Sequence, residues 1–168
     1  SDAFGTHGMV VSSKNYANEI GIDILKNGGN AIDAAVAVGF ALSVTHPSAG
    51  NIGGGGFMVI RFADGNSTTI DFRETAPSNS HRDMYLDENG NVISGKSWST
   101  ALGTGVPGTV AGLGYAHEKY GTLPWKNLLL PSIYLAKYGY ILDNFDISLL
   151  NSQKYKEYLS RDDYTKNI

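Results

Sequence analysis

The chain has 168 residues, 42% of them apolar and only 17% charged; a typical domain is about a quarter charged, so a sizeable core is affordable and part of the surface is expected to lie under something else. Thirteen basic and sixteen acidic residues leave a formal charge of -3, with no basic stripe to attract DNA, RNA or a membrane surface. The lack of cysteine excludes disulfides, thiol catalysis and cysteine-held metals.

No signal peptide is visible, and an exported protein after cleavage would lack one too, so the compartment stays open at this level. Gly8 to Ser13, with Met9, Val10 and Val11 at its middle, reads as a short strand. Asn15 can cap a helix starting at Tyr16, along which Tyr16, Ile20 and Ile24 recur at helical spacing. Gly28 and Gly29 stop it, and Asn30 caps the next helix with Asp33 in its first turn. Ala31 to Val44 is apolar nearly all round. It is shorter than the ~20 residues of a bilayer span, so it reads as a buried helix whose alanines suit close packing on a sheet.

Gly53, Gly54, Gly55 and Gly56 follow in one run. Ordering four glycines costs much backbone entropy, so the run is expected where the chain turns sharply or is closely approached. Phe57 to Phe62 and Thr68 to Arg73 are strand-like and meet across Asp64-Gly65, a strong hairpin signal. Gly108 to Tyr120 reads as a helix ended by Gly121. Pro124 starts a second helical stretch that Pro131 interrupts or restarts before Gly139, and Asn144 to Leu159 continues the helical third. A polar stretch with no closing strand follows.

Strand alternation puts Thr69, Asp71 and Arg73 on one face and Ile70 and Phe72 on the other. A guanidinium at the hairpin's end can grip a carboxylate through two parallel hydrogen bonds, with Asp71 or Glu74 supporting it. On spacing alone, a structural ion pair within Asp71-Phe-Arg-Glu74 is the better-supported role. The glycine run offers backbone N–H groups for an anion, but no Gly-Lys-Ser/Thr follows and the next element is a strand, so it is not a phosphate loop. A close-packed turn lining a cavity fits better. Gly103-Thr-Gly105-Val-Pro-Gly108 has the spacing of a dinucleotide loop. Against that, Pro107 lacks the N–H a pyrophosphate would use, and no parallel strand follows.

His7, His46, His81 and His117 are scattered without a metal-pair spacing, and Ser12, Ser13 and Ser48 lack a nucleophile elbow. Neither metal nor cofactor is called for. Ser1 has the hydroxyl of an N-terminal nucleophile but no catalytic context, and reads as a processed or cloning-derived terminus. Tyr134 and Tyr138 share a helix face and read as packing residues.

Four ordered segments carry a resemblance: Gly28-Gly-Asn-Ala-Ile-Asp-Ala-Ala35, His46-Pro-Ser-Ala-Gly-Asn-Ile-Gly-Gly-Gly-Gly-Phe-Met58, Asp71-Phe-Arg-Glu-Thr-Ala-Pro77 and Gly105-Val-Pro-Gly-Thr-Val-Ala-Gly112. Together they resemble the N-terminal part of a γ-glutamyltransferase (γ-glutamyltranspeptidase) large subunit, from about Gly8 to about Tyr140. The resemblance implies an α+β fold, the αββα sandwich of N-terminal-nucleophile hydrolases, of which the whole chain, 1–168, is a single incomplete portion. It implies a precursor that cuts itself into two subunits, and a γ-glutamyl substrate such as glutathione. It implies a catalytic threonine at the start of the small subunit, so that no catalytic residue lies in this chain. The resemblance further implies that Arg73 takes the substrate's α-carboxylate, with Asp71, Glu74 and Gly53 to Gly56 as supporting residues and the glycine run in the cavity wall. The small subunit is the implied partner, and the implied location is periplasmic or extracellular. Acylases acting on glutaryl, cephalosporin or poly-γ-glutamate substrates share similar motifs, and a non-catalytic partner chain is the alternative of a different class.

Overall fold

The computed structural model describes residues 4–161. Ser1 and the end of the chain beyond Arg161, on which two of the expectations fall, lie outside the described residues. The chain divides into two compact units, one through Ala136 and one from Lys137, with the boundary inside a helix.

In the first unit, helix α1 (Asn15–Lys26) begins one residue earlier than the spacing predicts. Its N-cap is Lys14, with no side-chain cap, and Asn15 is already inside the helix. Residues 8–13 do not form the expected strand. A strand is defined by its ladder partner, and here Val10 instead packs against Gly21 of α1, where a Cβ would come within 2.8 Å of its Cγ1.

Gly28, at φ +89°, turns the chain out of α1. Asn30 then caps α2 (Ala31–Thr45) reciprocally: its Oδ1 accepts the N–H groups of Ile32 (2.8 Å) and Asp33 (3.0 Å), while Asp33 Oδ2 accepts the N–H of Asn30 at 3.0 Å. Helix α2 is the centre of the core. Ile32, Ala34, Val36, Ala37 and Phe40 pack with Ile24 of α1 and with residues of the elements that follow.

Those elements are a hairpin, β1 (Phe57–Arg61) and β2 (Ser67–Asp71), and helices α3 (Thr109–Tyr120) and α4 (Trp125–Tyr138). The strands pair antiparallel, Phe57 opposite Asp71 and Arg61 opposite Ser67. Gly65, at φ +89°, makes the turn, and Asp64 Oδ1 accepts the N–H of Asn66 at 2.9 Å. The hairpin's inner face gives Ile60 to the buried core, with Met58, Phe62 and Ile70 packed beside it. From the other side come Leu113 and Ala116 of α3 and Leu128 of α4. The core thus joins α2 with one hairpin residue, Ile60, and with residues of three other helices. Between hairpin and α3, residues 76–104 run as turns, an isolated bridge between Leu86 and Val92, and a short 3-10 turn at Ala101–Gly103.

Pro131 does not interrupt α4; the helix runs through it with Leu128 and Ser132 buried. Tyr134 and Tyr138, read from the sequence as packing residues, are 56% and 69% exposed. In the second unit the predicted helical stretch breaks at Ser152 into α5 (Asn144–Asn151) and α6 (Gln153–Leu159). Ser152 takes extended ψ at 141° and its Oγ accepts the N–H of Tyr155, capping α6. Among the described residues no helix is long and apolar enough to cross a membrane.

Candidate functional site

Strand β2 ends at Asp71, yet its pairing continues one step: the Phe72 N–H donates to the Gly56 carbonyl at 3.0 Å and the Gly56 N–H to the Phe72 carbonyl at 3.4 Å. Three residues beyond Phe72, Thr75 and Val106 exchange N–H···O bonds of 3.2 and 2.8 Å. Arg73 and Glu74 are thus the only residues between two backbone clamps. The alternation expected from the sequence holds, with Phe72 half-buried and Arg73 exposed.

Asp71 and Glu74 divide the support of Arg73 between them. Asp71 Oδ1 accepts the Arg73 backbone N–H at 3.0 Å, fixing the turn out of the strand. Glu74 Oε1 lies 3.4 Å from Arg73 Nε. These side chains are 64% and 37% exposed, and a pair so open to water contributes only ~0–1 kcal/mol. Its value is orientation. With one edge of the guanidinium toward Glu74 and no further ion pair to it among the described residues, the terminal nitrogens keep their donors for a carboxylate.

The glycine run is a close-packed support. A Cβ on Gly55 would stand 2.5 Å from both the N and the Oε2 of Glu74, and one on Gly56 would stand 2.8 Å from the Phe72 ring. Only hydrogen at those positions lets the loop lie against the segment that carries Arg73. Gly53 has open space around it. The consecutive donors an anion nest needs are partly spent: Gly54 N–H goes to Asn51 Oδ1 (2.9 Å) and Gly56 N–H to Phe72.

The glycines of Gly103 to Gly108 serve the same segment rather than a phosphate. Gly105 lies against the Glu74 side chain and the Thr75 carbonyl, and Gly108 against the Phe72 carbonyl with no room for a Cβ. The Gly54 carbonyl in turn accepts the N–H groups of Gly108 (2.7 Å) and Thr109 (3.1 Å) at the start of α3. Three of the motifs noted in the sequence therefore converge on Arg73 and Glu74.

Behind them lies an apolar groove of about 410 Å³, walled by Val10, Ala34, Leu42, Met58, Phe57 and Phe72 among others. Gly53 to Gly56 are not part of its wall. Sequence reasoning passed over Asn51 and Thr109, whose side chains bond each other at 2.5 Å. Their signal was available: an amide and a hydroxyl stand inside two glycine-rich motifs, where a loop needs something to hold it. Among the histidines, His117 is half-buried and held in place, Nε2 2.7 Å from the Leu123 carbonyl and the ring 5.2 Å from that of Trp125.

Comparison with known proteins gives the family. The family described as Gamma-glutamyltranspeptidase matches residues 17–168. The chain is 55% identical over 144 residues to a glutathione hydrolase proenzyme of Pseudomonas sp. (strain A14), covering 86% of this chain and 25% of that protein. It is 56% identical over 137 residues to the glutathione hydrolase proenzyme of Escherichia coli (strain K12), covering 82% and 24%. The chain thus spans about a quarter of the length of these relatives. The crystal structure of the Helicobacter pylori γ-glutamyltranspeptidase superposes with a TM-score of 0.93 at 44% identity, covering 99% of this chain and 47% of that one. Its helices and hairpin are part of the αββα sandwich of N-terminal-nucleophile hydrolases, and the chain belongs to the γ-glutamyltranspeptidase family.

Proposed function

We propose that this chain is the N-terminal portion of the large subunit of an enzyme that cleaves γ-glutamyl amides such as glutathione, and that Arg73 grips the α-carboxylate of the γ-glutamyl group. The observation that carries this reading is the clamped geometry of Arg73: backbone fixed on both sides, guanidinium oriented by Glu74, terminal nitrogens unengaged among the described residues. The names of the most similar relatives favour a γ-glutamyl substrate over that of an acylase.

In this reading the nucleophile is a threonine at the new N-terminus of a small subunit cut from the same precursor. Its hydroxyl adds to the γ-carbonyl, its proton passing by way of the terminal amine to the departing amine, and a γ-glutamyl ester forms. Water, an amino acid or a peptide then takes the acyl group. Arg73 forms and breaks no bond. By holding the carboxylate end it turns the γ-carbonyl toward the threonine, and such orientation lowers the barrier by several kcal/mol, up to ~7–11 in the most favourable intramolecular cases. We further propose a periplasmic or extracellular location, the one the family resemblance implies.

The test is Arg73→Ala in the complete processed enzyme, assayed with γ-glutamyl-p-nitroanilide. A raised KM with a smaller change in kcat is expected. Unchanged values for both would leave Arg73 a structural role only.

A further inference from the structure

The bonds around Arg73 close into a ring. Starting at Gly54, the loop reaches Gly56, crosses to Phe72, passes through Arg73 and Glu74 to Thr75, crosses to Val106, and returns through Gly108 to the Gly54 carbonyl. Two side chains lock it. Asn51 Oδ1 accepts the Gly54 N–H at 2.9 Å and the Thr109 hydroxyl at 2.5 Å, while the Thr109 N–H reaches the Gly54 carbonyl at 3.1 Å. Thr109 is 7% exposed, so this hydroxyl has no ready water to replace Asn51.

We propose that Asn51 and Thr109 are positioning residues for Arg73, a role that rests on the reading of Arg73 as the carboxylate grip. Neither residue needs to meet substrate. Their effect passes through Gly54 to its neighbour Gly55, whose missing side chain is the space against which Glu74 is set. Glu74 in turn orients the guanidinium. Loss of the clasp lets the loop shift, and the first consequence is a guanidinium out of register with the carboxylate.

A general loss of packing weakens turnover of all donors alike, whereas a misplaced grip weakens recognition of one group. The experiment therefore measures, in the complete processed enzyme, the preference for γ-glutamyl-p-nitroanilide over the same compound with its α-carboxylate converted to the amide. Thr109→Val removes the hydroxyl at nearly constant volume; the preference in kcat/KM is expected to fall about threefold to tenfold, the equivalent of one buried hydrogen bond. Thr109→Ser, which restores the donor, is expected to recover it.

Arg73→Ala is measured beside them. A preference kept in Thr109→Val but abolished in Arg73→Ala overturns the positioning role alone. A preference kept in Arg73→Ala overturns the grip itself and this inference with it. If Thr109→Val does not accumulate as processed enzyme, Asn51→Ala, which removes the acceptor and leaves Thr109 in place, is read in the same way.

Discussion

The Thr122 hydroxyl donates to Asp33 Oδ2 at 2.6 Å, tying the first turn of α2 to the loop after α3 across 89 residues of sequence. Asp33 is fully buried and also accepts the N–H groups of Thr122 (3.0 Å) and Asn30 (3.0 Å). Burial alone raises its pKa. The bonds from the Thr122 hydroxyl and from the backbone of Asn30, Thr122 and Leu123 outweigh burial and hold the carboxyl below its ordinary 3.8. Asp33→Asn exchanges an acceptor for a donor facing these donors, and should cost the complete protein about 1–3 kcal/mol in urea unfolding at neutral pH.

The same carboxylate gives a pH dependence of definite sign. With its folded pKa lowered, Asp33 contributes stability in full above the unfolded value of about 3.8, and that contribution disappears as pH falls through the lower folded value. Stability curves of wild type and Asp33→Asn should converge below that window. A difference between them that stays constant down to the most acid point would contradict this.

Gly53 and Gly55 offer a paired test of the supporting loop. At Gly55 an added methyl meets Glu74 and, at 2.7 Å, the Phe72 carbonyl, whereas at Gly53 it meets nothing within 4 Å. Gly55→Ala should lower stability by about 1–3 kcal/mol through overpacking and raise KM for a γ-glutamyl donor. Gly53→Ala should leave thermal midpoint and KM close to wild type.

Helix α3 contains a glycine with no such constraint. Gly114 sits mid-helix with open space where a Cβ would go. Gly114→Ala should stabilise the complete protein by roughly 0.5–1 kcal/mol through helix propensity. At Gly112, two residues away, a Cβ would run into the Phe72 ring, so Gly112→Ala should do the opposite.

The chain as given, without a small subunit, should not turn over γ-glutamyl-p-nitroanilide, because the proposed nucleophile and its base are elsewhere. Activity from a pure preparation of these 168 residues would refute the proposed division of labour.

What could be read from the sequence was local chemistry with one physical cause. Asn30 announces a cap and Asp33 an acidic first turn, Asp64-Gly65 a turn, and the alternation from Thr69 to Arg73 a polar and an apolar face. The errors fell where a distant partner decides. Gly8 to Ser13 has strand residues but, among the described residues, no strand beside it, and Val10 settles on Gly21 instead. Pro131 stands inside a helix that tertiary packing of Leu128 and Ser132 keeps whole. At the site, Arg73 was visible from its motif; Asn51 and Thr109 stood inside glycine-rich motifs, but their pairing was not legible, since 58 residues separate two side chains that only the fold brings together.

The ring around Arg73 also governs where the chain can change length. One residue inserted within 54–56, 72–75 or 106–109 would put every later hydrogen bond of the ring out of step, and no side-chain choice repairs that. At Asp64-Gly65 the hairpin tip lies in solvent, and residues 76–104 run between the ring residues Thr75 and Val106 as a long connection. Insertions and deletions should therefore be tolerated in that long connection and at the tip, while the short segments that frame the arginine hold a fixed count.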